Sequence, residues 1–86
     1  MKRKAAGDTM EIKWTDGFEI RVRIDHGAAV ISANSAGLRS LADQFSALAE
    51  AAPGSHIHYD EYNSLEAGSS EMIVERIPEE PASTEE

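Results

Sequence analysis

The sequence predicts a small single-domain α+β fold. One helix, at about residues 35–52, packs on an antiparallel sheet of about five strands in the order β-β-β-α-β-β. Three observations carry this: period-two apolar alternation over residues 10–24, apolar recurrence at spacings of three and four over 38–52, and renewed strand patterning over 55–60 and 71–77. The 86 residues allow one domain. It is placed at 9–77, between a basic head (1–8) and a Pro/Ser/Thr/Glu tail (78–86). Neither flank has apolar periodicity, and both are expected to be disordered.

Met10, Ile12 and Trp14 alternate with Glu11 and Lys13, and Phe18, Ile20, Val22 and Ile24 alternate with Glu19, Arg21 and Arg23. Each run reads as a half-buried strand. Asp16-Gly17 between them is a favoured tight-turn pair, because Gly tolerates positive φ. Asp25-His26-Gly27 breaks the second strand before Ala28–Ala33, a short strand centred on Val30 and Ile31, which completes a three-stranded meander. Asn34 or Ser35 can cap the helix that follows. Its apolar face is read as Leu38, Leu41, Ala42, Phe45, Leu48, Ala49 and Ala52, with Arg39, Asp43, Ser46 and Glu50 opposite. Pro53-Gly54 ends it. Ser55–Asp60 alternates again, with Ile57 and Tyr59 on one face and His56, His58 and Asp60 on the other. Glu61–Ser70 reads as a polar loop. Glu71–Ile77 is apolar on both faces and predicted to lie inside the sheet.

The formal charge of −8 is unevenly placed. Residues 1–39 hold seven basic against five acidic groups, a balance of +2. Residues 40–86 hold only Arg76 against eleven acids, a balance of −10. Such a surface repels nucleic-acid phosphates and anionic lipid heads, so neither is expected as a partner. A basic protein is the electrostatic complement. Cysteine is absent, which removes disulfides, thiol nucleophiles and Cys-based metal centres. No apolar run approaches a membrane span or the core of a signal peptide, so a cytoplasmic location is expected.

Three chemistries compete for the segment from His56 to Glu66. On a strand, His56, His58 and Asp60 share a face, and two imidazoles with a carboxylate could hold zinc or non-haem iron. That alternative describes a metal-binding protein or small metal-dependent enzyme. Enzymatic acid–base work by His58, Asp60, Glu61 or Glu66 would need a pocket that excludes water, whereas these residues fall on an exposed face or loop. No nucleophile elbow or glycine-rich phosphate loop is present, so no catalytic residue and no cofactor are assigned. As a binding surface, the segment offers Tyr62 as rigid contact area. Asp60, Glu61 and Glu66 would be hydrogen-bond acceptors for a basic partner, with Asp43 and Glu50 on the helix as secondary contacts. A further reading is a structural or assembly module, phage-derived, that pairs through an exposed strand edge.

The run Ser35-Ala36-Gly37-Leu38 through the helix to Pro53-Gly54-Ser55-His56-Ile57-His58-Tyr59-Asp60, then Leu65-Glu66-Ala67-Gly68-Ser69-Ser70-Glu71-Met72-Ile73-Val74-Glu75, carries a resemblance. Over residues 35–77 the chain resembles the small bacterial immunity proteins of polymorphic toxin systems, specifically the family numbered thirty-two. The resemblance implies a cytoplasmic α+β protein, made beside a toxin gene, that binds the toxin domain and blocks it without catalysis or cofactor. It carries no residue-level motif, so the contact residues rest on the chemistry above. A monomer or weak dimer that binds a cognate toxin with a basic surface is the expected state.

Overall fold

The computed structural model describes residues 12–79. Its elements are β1 (Ile20–Asp25), β2 (Ala28–Ala33), α1 (Ser35–Ala49), β3 (His56–Tyr59) and β4 (Met72–Glu75). The fold is α+β with one helix and antiparallel strands. The strands form two sheets of two, β1 with β2 and β3 with β4, in place of the expected single sheet of five. The basic head and residues 80–86 of the tail lie outside the described residues, as does Met10 of the first expected strand.

The β1–β2 hairpin turns at His26 and Gly27, both at positive φ (52° and 83°), as a two-residue type I′ turn requires. Ile20 lies opposite Ala33, Val22 opposite Ile31 and Ile24 opposite Ala29. Directly opposed residues share a face, so these six form the apolar side and Arg21 and Arg23 lie on the other. Ile20 and Val22 are buried; the face emerges from cover toward the hairpin tip, where Ile24 is 62% exposed and Ile31 40%. In the second hairpin Ile57 and Tyr59 point inward against Val74 and Met72, as their alternation predicts.

The expected first strand is absent over its described part, because helix side chains take the backbone groups a sheet ladder would use. The Thr15 N–H donates to Ser40 Oγ (2.8 Å), and Gln44 Nε2 donates to the Lys13 carbonyl (2.7 Å). Trp14, held between them, stacks on Phe18 with ring centroids 4.4 Å apart and meets Tyr59 edge-on at 6.4 Å. A single sheet is prevented at the other edge of β1. There the loop before β4 takes the free carbonyls, with Glu66 N–H donating to Ile20 (2.9 Å) and Ser70 N–H to Val22 (2.8 Å). Strand β4 therefore pairs with β3 and not with β1. It is not interior either: Met72 and Val74 are half-buried, whereas Ile73 is 55% exposed.

Helix α1 is capped by Asn34, whose Oδ1 accepts the Gly37 N–H at 2.8 Å. The regular helix ends at Ala49, earlier than Ala52, with the Glu50 N–H donating to Ala47 and Leu48. Its buried residues are Gly37, Ser40, Leu41, Gln44 and Leu48. Leu38 and Phe45, expected inside, are 55% and 38% exposed. At about 100° per residue the buried face is turned roughly a quarter turn from the apolar stripe. Two contacts set that angle. Ser40 and Gln44 bond inward as described, and Gly37 lies against β1 so closely that a Cβ there would stand 2.5 Å from the Glu19 carbonyl oxygen and 2.9 Å from Ile20 Cγ1. The core that results joins Ile20, Val22, Leu41, Leu48, Ile57, Tyr59 and Leu65.

Gly37→Ala should therefore destabilise the fold by about 1–3 kcal/mol, because backbone and not a flexible side chain blocks the new methyl; urea unfolding measures it. Tyr59 is fully buried, and its hydroxyl donates to Gln44 Oε1 at 2.8 Å. Burial pushes its phenol from 10.0 up to about 12. A raised pKa means the native state keeps a proton that the unfolded chain releases. This contribution is complete below pH 10 and is lost as pH rises toward 12, with a slope of at most about 1.4 kcal/mol per unit. Denaturation across that window should be steeper in the wild type than in Tyr59→Phe.

Candidate functional site

The segment between β3 and β4 is a polar loop with a fixed shape. The Asp60 carbonyl accepts the N–H groups of Asn63, Ser64 and Leu65 at 3.3, 3.0 and 2.9 Å. Asp60 Oδ1 accepts those of Tyr62 and Asn63, both at 3.0 Å. Asn63 closes the turn from the other side: its Oδ1 accepts the Asp60 N–H (3.2 Å) and its Nδ2 donates to the His58 carbonyl (3.0 Å). Glu61 Oε1 reaches across to the Gly68 N–H at 3.1 Å, and Gly68 supplies the positive φ of 86° that the return bend needs. Leu65, 5% exposed, anchors the loop in the core.

This framework leaves Tyr62 91% exposed, the most exposed of the large apolar or aromatic side chains in the described residues. An aromatic ring on a turn already held by hydrogen bonds loses little conformational freedom on binding. The site residues read from sequence therefore divide by role. Tyr62 projects. Asp60 and Glu61 keep their charge near the surface while each holds loop backbone. Glu66, half-buried, lines a shallow recess with Glu19, Arg21, Ser32 and Asn34. Asp43 and Glu50 are exposed on α1, and among the described residues no hydrogen bond or ion pair joins either to the loop. Asn63 is the member that sequence reasoning missed. Its signal was the Asp-x-x-Asn spacing, which lets two short side chains cap each other's backbone.

His56 and His58 share the outer face of β3, with ring centroids 5.1 Å apart. Their partners differ from those of a metal centre. His58 Nδ1 lies 3.2 Å from Glu71 Oε2, and His56 Nδ1 lies 3.2 Å from the Gly54 carbonyl oxygen. The Asp60 carboxylate is turned into its own loop. Among the described residues no group of three or more His, Asp or Glu side chains could hold a metal ion. The reading of His56, His58 and Asp60 as a metal set thus fails on the third ligand, which the loop already uses.

No helix among the described residues is long and apolar enough to cross a membrane. No curated protein and no solved structure matches the chain. The model of the family described as Immunity protein 32 matches residues 29–77, from β2 through α1 and the loop to the end of β4.

Removing the carboxylate that caps the loop should loosen it without unfolding the core. In Asp60→Ala the Tyr62 and Asn63 amides should exchange with solvent at least about tenfold faster, the equivalent of roughly 1.4 kcal/mol of local protection. Amides in β3 should be unchanged, and hydrogen exchange followed by NMR reads both.

Proposed function

The chain belongs to the Immunity protein 32 family, and we propose that it neutralises a cognate bacterial toxin domain in the cytoplasm by binding and covering its working surface, without catalysis of its own. Tyr62 is the anchor of that contact, and Glu66, Asp60 and Glu61 supply the negative field around it. Asp43 and Glu50 add to the field from the helix. The observation that carries this reading is the combination in one loop of a preorganised, 91% exposed tyrosine with three carboxylates. Aromatic anchors ringed by polar groups dominate the energy of protein interfaces. Surrounding charge mainly accelerates encounter.

The charge balance supports a basic partner. Residues 40–86 carry −10. A toxin domain that acts on nucleic acid must present Lys and Arg to phosphates. Carboxylates held near Tyr62 can take those phosphate positions, and occupancy of the cleft is sufficient for inhibition.

The proposed partner would be a secreted protein encoded beside this chain's gene, and its C-terminal domain would be the binding reagent. Tyr62→Ala should weaken the complex by about 30-fold or more, mostly through faster dissociation. Glu66→Lys combined with Glu61→Lys should slow association and flatten its dependence on salt. Surface plasmon resonance at two ionic strengths separates the effects. Unchanged affinity in both variants would place the toxin contact on another face.

A further inference from the structure

Among the described residues, strand β2 has a free edge of known composition. The Asn34 N–H donates to the Glu19 carbonyl at 3.1 Å, which marks 19–34 as a hydrogen-bonded position of the hairpin ladder. Antiparallel pairs alternate, so 21–32, 23–30 and 25–28 are bonded across the ladder. Ala29, Ile31 and Ala33 then turn their N–H and C=O groups outward. The same parity on β1 turns Ile20 and Val22 outward, where the Glu66 and Ser70 amides meet their carbonyls. One edge of the hairpin is therefore covered. Among the described residues nothing pairs with the other.

Edge strands normally carry a charge, a proline or a bulge that discourages pairing. Residues 28–38, spanning β2 and the first turn of α1, contain no charged residue and no proline, and the β2 register is unbroken. Along this stretch Ile31 is 40% and Leu38 55% exposed. We propose that β2 pairs with β2 of a second copy of this chain, antiparallel and centred on Ile31, to form a two-fold dimer with a four-stranded sheet. The geometry permits a second copy, and charge selects it over another occupant. The three outward residues are symmetric about Ile31, so a two-fold axis there sets Ile31 against Ile31 of the partner subunit and Ala29 against Ala33 of the partner subunit. Every outward donor then finds an acceptor. Charge points the same way. Residues 40–79 hold eight acids against Arg76 alone, so two copies meeting there would set like charges together. The neutral run 28–38 brings none, and it gives a basic partner nothing to complement.

Sedimentation equilibrium of the full chain tests this. The mass should rise from 9.3 kDa toward twice that value between about 1 and 500 μM, the range of a weak strand-mediated contact. Ala29→Pro deletes one outward N–H and leaves the β1 ladder intact, and Ile31→Lys opposes two charges on the axis. Each should raise the dimer dissociation constant at least about tenfold while circular dichroism stays that of the wild type. As the only thiol in the chain, Ile31→Cys should form an intersubunit disulfide on oxidation, because directly paired Cα atoms lie about 5.5 Å apart. Tyr62→Cys should not. A mass of 9.3 kDa throughout, or a dimer that both edge variants leave intact, overturns the proposal. So does a wild-type monomer whose edge variants lose the toxin, which would give the β2 edge to that partner.

Discussion

The Gln44 amide fixes the geometry of this small protein. It is 1% exposed, donates to the Lys13 carbonyl and accepts the Tyr59 hydroxyl. One side chain thereby joins the segment before β1, the middle of α1 and the end of β3, three pieces with no sheet ladder in common. An unpaired buried amide is unfavourable by about 1–3 kcal/mol, as much as or more than the net value of a hydrogen bond. Rotations of the helix that break either contact are therefore excluded. Ser40, one turn earlier and fully buried, repeats the device with Thr15 and Ala36. Together they hold the helix about a quarter turn away from where its leucines and alanines alone would put it, and Gly37 lets that face come close to β1.

That rotation explains what was and was not legible in the residues. The turn at His26-Gly27, the Asn34 cap and the inward placement of Ile57 and Tyr59 follow from local rules, and local rules found them. The strand expected around Met10–Trp14 and the helix face through Leu38 and Phe45 were inferred from apolar spacing. Spacing does not register a Gln or Ser that bonds to backbone 25 or 31 residues away. The division into two sheets has the same origin. Loop amides at Glu66 and Ser70 compete for the β1 edge, and nothing in the period of β4 reveals them. The site was legible as a composition, an acidic run with a tyrosine. The separation of roles within it depends on side-chain geometry.

The loop after β3 shows how few groups a short chain needs to hold a loop in one shape. Asp60, Glu61 and Asn63 would read on the surface as spare polar groups. Each closes a backbone amide, and the result is a turn that keeps its shape between Leu65 in the core and Tyr62 in solvent. Charge and structure are coupled here. A carboxylate that caps an amide is held in place and presents its remaining field in a fixed direction, which a free glutamate on a mobile loop does not.

Charge is also unevenly partitioned along the chain. Acidic groups crowd the elements from α1 onward, while β2 and the start of α1 are neutral. At a net charge of −8, two identical molecules repel least where neither brings charge, and a basic partner is favoured most at the acidic elements. On the proposed reading, the same segregation favours a basic partner at the loop and self-association along the neutral run 28–38. Tyr62 and β2 belong to different hairpins, and a dimer through β2 would offer two such loops on one particle. Two loops engaging linked toxin domains would then gain by effective concentration what each single contact lacks.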